Sequence, residues 1–326
     1  MNKRERVLAA LDGRRVDRVP FAMWRHYYYQ DRDSERLAQA TLSFYRRYDP
    51  DVIVLTPGPF YIAEGWKVSV RSFGSDDIPH YTVEPVIRRA TDWRWLHELD
   101  VKSSPLRREV EAVRLTKAQL NEEDAPLIFP LFSPLITADM LCGQRVIENI
   151  RSFSNDLRSG LGVIAMVTLD LALACLEAGA DGFFFISRLN DWEAMRAREY
   201  RDYGQRFDLQ VLEPLADRAT IRILGLKGGR LFFDMANSYP VQAVCWETWR
   251  SDPSMESAHR QVRCGLMGGL NPVTFVEGSV RDIQGQITEA VAQTGGWRIL
   301  IAPSGPLPPR SRDELLSVVR RVVQEP

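Results

Sequence analysis

Eight short runs rich in β-formers recur along the chain, each followed by a stretch with helical pattern. They are Val19–Trp24, Asp51–Leu55, Pro126–Phe132, Asp181–Ile186, Thr220–Leu226, Val241–Trp246, Val262–Met267 and Arg298–Ala302. Most are apolar throughout rather than alternating, as strands are when both faces of a sheet are covered. Helical periodicity fills the gaps. Ser34–Tyr48 places Leu37, Thr41, Phe44 and Tyr48 on one face, Gly160–Ala178 is long and apolar, and Asp191–Arg218 is amphipathic. Ser279–Gln293 follows an Asn-Pro turn, and Ser311-Arg312-Asp313-Glu314 reads as a capping box opening the final helix. Strand and helix alternating eight times predict an α/β chain, a single (β/α)8 TIM-type barrel over residues 1–326. Residues 56–106 break the rhythm. The period-2 stretch around Trp66–Val70 and the run "PHYTVEPVIRRA" predict a β-hairpin insertion after strand two.

Composition narrows the function classes. A formal net charge of −1 argues against a nucleic-acid-binding domain. Lys3, Lys67, Lys102, Lys117 and Lys227 are the only lysines, so arginine carries nearly all the positive charge. Cys142, Cys175, Cys245 and Cys264 are far apart, with no CxxC pair and no histidine at ligand spacing, which predicts free thiols and no metal site of their own. The opening stretch has no apolar core long enough for a signal peptide. No run elsewhere is read as reaching the roughly 20 apolar residues that span a bilayer, so the expectation is a cytoplasmic protein without membrane contact.

Barrel chemistry sits at the carboxyl ends of the strands. Those positions hold Arg25, His26 and Tyr27, then Thr56, Ser133 and Asp139, then Ser187 and Arg188, and finally Lys227, Glu247, Asn271 and Ser304. The set is rich in cations and hydroxyls and suits a small-molecule anionic substrate. Arg25 and Lys227 are candidates to hold carboxylates, with Tyr27 as an aromatic wall. His26, or Glu247 between Trp246 and Trp249, is the candidate proton donor, because an apolar setting raises a carboxyl pKa. A salt bridge from Glu247 to Lys227 or Arg250 is the simpler alternative. The stretch Gly225-Leu226-Lys227-Gly228-Gly229 lacks the spacing of a phosphate loop. It reads as a turn whose lysine faces solvent, reaches into the mouth to hold an anion, or forms a Schiff base.

Several stretches together resemble the uroporphyrinogen decarboxylase superfamily. They are "RERVLAALDGRRVDRVPFAMWR", "FPLFSPLITADMLCG", "EAGADGFFFIS", "GGLNPVTFVEG" and "ILIAPSGPLPPRSRDELLSVVRRVV". The resemblance implies the barrel, a homodimer, and one of two chemistries. Cofactor-free decarboxylases hold polycarboxylates with arginines and stabilise the intermediate with an aspartate after strand two. Methyltransferases work with a corrinoid protein or another carrier and bind zinc through His-x-Cys and a distant cysteine.

By that resemblance Arg25 matches the first substrate-binding arginine and Ser187 the serine after strand four. Asp139 stands at the family's tyrosine, Ser304 at its histidine and Thr56 at its aspartate. Gly225-Leu226-Lys227-Gly228 replaces His-x-Cys-Gly, and Pro303-Ser304-Gly305 replaces the third zinc ligand. The expectation is a metal-independent, cofactor-free lyase, a decarboxylase of a small aromatic or heterocyclic carboxylate other than uroporphyrinogen. In it Ser187 and Asp139 orient the ring, and Arg188 and Ser304 add contacts. The alternatives are methyl transfer with a carrier protein and a non-catalytic binding barrel.

Overall fold

The computed structural model describes residues 1–72, 81–121 and 125–324. Seven strands form one parallel, curled sheet: β1 (Ile53–Val54), then, after a separate antiparallel pair β2 (Ser69–Ser72) and β3 (Tyr81–Glu84), β4 (Leu127–Phe132), β5 (Gly182–Arg188), β6 (Ile221–Lys227), β7 (Ala243–Cys245), β8 (Gly265–Leu270) and β9 (Ile299–Pro303). Each strand of the sheet pairs with the next in the chain, and helices fill the connections. The residues joining β2 to β3, and His80 among them, lie outside the described residues.

The first predicted run forms no ladder of its own. Instead Phe21 and Ala22 bridge in parallel to Ile301 on one edge strand and to Val52 beside the other. The amide of Ala22 donates to the Ile301 carbonyl at 2.9 Å, and the amide of Asp51 donates to the Phe21 carbonyl at 2.8 Å. The segment therefore touches both edges of the curled sheet.

Alternation along the strands splits the core in two. Trp24, Val54, Phe184, Ile223, Cys245 and Ala302 fill the space enclosed by the sheet. Their neighbours Met23, Phe183, Phe185, Leu224 and Ile301 pack outward under the helices. The parity set by these two clusters fixes which side chains at the strand ends face inward.

The amino-terminal helix Lys3–Leu11 seals one end. Val7 and Leu11 join the inner cluster from the amino ends of the strands. Arg6 and Arg18 converge on the fully buried Asp51: Arg6 Nη1 lies at 2.8 Å and the Arg18 nitrogens at 2.7 and 2.8 Å, and the Phe21 amide adds a fourth donor at 2.9 Å. Arg4 reaches Asp181 at 2.6 Å, and Asp181 also accepts from the Leu127 amide at 2.8 Å.

Two sequence expectations need correction. Ser154–Glu177 is one helix of 24 residues with mean hydropathy 2.0 over its apolar window, long and apolar enough by composition to cross a bilayer. Asp170 interrupts the run in sequence, and half of that window is buried inside the fold. The predicted helix Asp191–Arg218 is broken. Asp191 accepts from the amides of Glu193 and Ala194 at 2.9 and 2.8 Å, a turn that competes with helix. Helix then resumes as Ala197–Tyr200, a π-helical turn Arg201–Gln205 and Arg206–Leu212.

Removing Asp51 takes the ion pair from Arg18 and leaves Arg6 with Asp17 alone, and loss of one partner of a buried ion pair costs about 3–5 kcal/mol. Urea unfolding of Asp51→Ala is expected to show that fall through a lower midpoint at unchanged slope. A change under about 1 kcal/mol, the range of an exposed pair, contradicts the clamp.

Candidate active site

The carboxyl end of the sheet carries two adjoining cavities that share one arginine. The first, about 400 Å3, is lined by Pro59, Phe60, Phe132, Ile136, Met140 and Ile186, with Asp139 and Arg188 among its polar groups. The second, about 630 Å3, is strongly charged and holds Arg188, Lys227, Arg230, Arg250, Asp191, Glu193 and Glu247. Arg188, at the last position of β5, belongs to both.

In the charged cavity most anions are already engaged. Lys227 Nζ donates to Glu247 Oε1 at 3.2 Å and to the Ser304 carbonyl at 2.6 Å, tying β6 to the ends of β7 and β9. Asp191, besides its two helix-side amides, accepts from the Gly229 amide at 3.2 Å. This close approach explains the glycines, since a Cβ at Gly228 would stand 2.0 Å from Asp191 Oδ2. Arg188, Arg230 and Arg250 are exposed, and none of them has an ion pair among the described residues. Three arginines therefore line a space in which, among the described residues, Glu193 is the carboxylate not engaged by one of these contacts. Such a surface attracts an anion.

Asp139 differs from the other carboxyls. It is buried at the rim of the apolar cavity, where it accepts from the Val146 amide at 3.2 Å. Burial raises its pKa, opposed by that amide and by the charge of Arg188. It is therefore a carboxyl biased toward holding its proton.

The remaining predicted residues are placed by strand parity. Lys227 and Glu247 do meet, as the ion pair rather than as a free cation and a free acid. Trp246 does not flank Glu247, because its indole nitrogen donates to the Pro253 carbonyl at 2.9 Å and its ring packs on Phe233. Ser304 follows the end of β9, its carbonyl accepts from Lys227, and its Oγ is buried without a partner.

Arg25 and Ser187 lie out of phase with the residues that face the cavities. Arg25 is one residue out of phase with the inward Trp24, and its guanidinium lies over the rings of Tyr27 and Phe44, 5.4 and 5.9 Å from their centroids. Tyr27 belongs to the outer core with Phe44. Ser187, out of phase with Ile186 and Arg188, is fully buried and bonds Tyr200 at 2.7 Å in the outer layer.

His26 Nδ1 lies 3.2 Å from the Pro57 carbonyl, so that nitrogen carries the hydrogen, and the ring stacks on Tyr28. Burial pulls its pKa down to about 4 against the pull of that carbonyl, which makes it neutral near pH 7. That suits a base more than an acid.

Phe60, Phe132, Met140, Arg230 and Arg250 were missed by strand-end reading. Four of the five lie in loops or helices, where spacing carries no periodic signal.

A family model described as uroporphyrinogen decarboxylase (URO-D) matches residues 2–325. The chain belongs to the uroporphyrinogen decarboxylase family. No curated protein matches it significantly. Among solved structures, a methyltransferase from Methanosarcina mazei superposes with TM-score 0.81 at 16% identity, covering 100% of this chain and 99% of that one. A B12-independent methionine synthase from Shewanella sp. W3-18-1 gives 0.61 at 12%, covering 94% of each chain. Identities this low show the shared fold.

The zinc site expected for methyltransferase relatives of this uroporphyrinogen decarboxylase family member does not fit these residues. A Cβ at Gly225 would stand 2.8 Å from the Phe184 ring, so that ring fills the space of the first ligand. The Lys227 ammonium occupies the second position, and Ser304, with its carbonyl turned to that ammonium, the third. Among the described residues no three His, Cys, Asp or Glu side chains gather into a metal-ligand cluster. Zinc titration calorimetry on metal-stripped protein is expected to show no stoichiometric binding; one tightly bound ion per chain contradicts this assignment.

Proposed function

We propose that this uroporphyrinogen decarboxylase family member binds a small anionic molecule with a flat apolar body across the paired cavities and removes a carboxylate from it without a metal. The observation that carries the reading is Arg188, an arginine without an ion pair among the described residues, shared between an apolar cavity containing a protonatable Asp139 and a cavity with two further such arginines. We also read the sheet, with residues 20–22 bridging its edges, as a closed (β/α)8 TIM-type barrel.

The division of labour follows from the lining. An anionic group of the substrate lies among Arg188, Arg230 and Arg250. The ring lies between Phe60, Phe132, Ile136 and Met140. The scissile carboxylate faces the apolar side, where loss of solvent favours neutral CO2 over its charged precursor. Breaking the carbon–carbon bond leaves the electron pair on the ring carbon, and the Asp139 carboxyl delivers a proton there. Arginine contacts made equally in ground and transition states set affinity, so rate depends on that proton and on desolvation. His26, neutral and hydrogen-bonded through Nδ1, has Nε2 left as an acceptor and does not serve as the acid.

A second reading is methyl transfer with a corrinoid or other carrier protein, which the likeness to the Methanosarcina mazei methyltransferase favours. Without zinc, the acceptor would be held by the arginines alone. Assays for released CO2 and for methyl transfer on the same candidate substrates separate the two.

Arg188→Ala is expected to raise KM about ten-fold or more, the worth of a charge-assisted hydrogen bond, with a smaller effect on kcat. Asp139→Asn is expected to lower kcat about 100-fold or more with KM little changed, as for loss of a general acid. Because the protonated form is the active one, kcat/KM should fall as pH rises past a midpoint above the ordinary carboxylate range. An Asp139→Asn enzyme with wild-type kcat, or a rate that falls toward acid pH, contradicts the donor role.

A further inference from the structure

Ser187 opens a chain of buried hydroxyls behind the mouth. Its Oγ lies 2.7 Å from Tyr200 Oη. Tyr200 Oη donates to Asp208 Oδ2 at 3.2 Å and Tyr239 Oη donates to the same oxygen at 2.8 Å, with the two phenols 3.0 Å apart. With both phenolic protons directed at Asp208, Tyr200 can only accept from Ser187. Asp208 is fully buried, and its Oδ1 has no partner. A buried carboxyl is costly to keep, and here two phenols satisfy one of its oxygens while the other has no partner.

The π-helical turn makes the cluster possible. Arg201–Gln205 inserts between Tyr200 and Asp208, and Gly204 leaves room for the ring, since a Cβ there would stand 2.5 Å from it. What the cluster grips is the end of β5. Immediately beyond Ser187 come Arg188 and then Leu189, whose φ of 67° is a left-handed conformation that a leucine holds only under constraint. Downstream the same turn is held by the Phe232 amide, which donates to the Asn190 carbonyl at 2.8 Å, and by Asp191.

We infer that Ser187, Tyr200, Tyr239 and Asp208 are positioning residues that hold the strained end of β5 so that the Arg188 guanidinium is presented at the junction of the two cavities. Arg188 touches the ligand; the cluster acts only through it. The inference rests on the proposed anion-anchoring role of Arg188.

The test is a double-mutant cycle with benzoate as the probe, followed by calorimetry, together with crystal structures of the unliganded proteins. Ser187→Ala cuts the link to β5 and leaves the two tyrosines bonded to Asp208; Tyr200→Phe is the second variant. Ser187→Ala is expected to weaken benzoate binding about ten-fold, and the Arg188→Ala, Ser187→Ala double variant is expected to bind no more weakly than Arg188→Ala, the signature of coupled residues. In the unliganded Ser187→Ala or Tyr200→Phe crystals, Leu189 is expected to leave the left-handed region and Arg188 to move.

Fully additive losses overturn the inference, as does an unchanged 187–191 backbone in both variants, whether or not benzoate binds. Wild-type benzoate affinity in Arg188→Ala overturns the anchoring role itself. Wild-type affinity in Ser187→Ala, with loss in Arg188→Ala, overturns only the positioning role.

Discussion

The fold depends on one buried carboxylate. Asp51, at the entrance to β1, gathers Arg6 from the amino-terminal helix, Arg18 from the following loop and the Phe21 amide from the segment that bridges both edges of the sheet. Two cations around one fully buried anion offset a desolvation cost that a single pair would not repay easily. The contact fixes where the bridging segment sits, and Val7 and Leu11 then plug the enclosed core beneath it. With that end closed, the two cavities described above lie at the carboxyl ends of the strands.

Strand alternation then decides which residues take part in chemistry. The apolar runs made seven of the strands legible, because strands covered on both faces are apolar throughout. The mouth was less legible for the same reason: a run apolar on both faces hides its own parity. Arg25 and Ser187 stand at strand ends and have the right chemistry, yet each is one residue out of phase with the inward set, where Trp24 and Ile186 lie. Arg188 and Lys227 are in phase and face the cavities. With Trp24 and Phe184 as inward markers, Arg188 falls on the inward face and Arg25 does not. Phe60, Met140 and Arg250 had no comparable signal, since their positions come from loop and helix packing rather than from period.

The stretch around Lys227 is held by contacts within the chain itself. With Phe184 filling the space beside Gly225, and with the Lys227 ammonium held by Glu247 and the Ser304 carbonyl, β6, β7 and β9 are joined by a cation that belongs to the chain. Lys227 thereby becomes part of the wall. In the proposed function the binding charge passes to Arg188, Arg230 and Arg250, while burial raises the pKa of Asp139 on the apolar side.

The most direct test of this division is a crystal structure of the protein soaked with an aromatic dicarboxylate such as phthalate. One carboxylate is expected within hydrogen-bonding distance of the Arg188 guanidinium, with the ring between Phe132 and Met140 and the second carboxylate beside Asp139. A ligand bound instead against Arg25, or a metal ion coordinated at Lys227 and Ser304, would contradict the account.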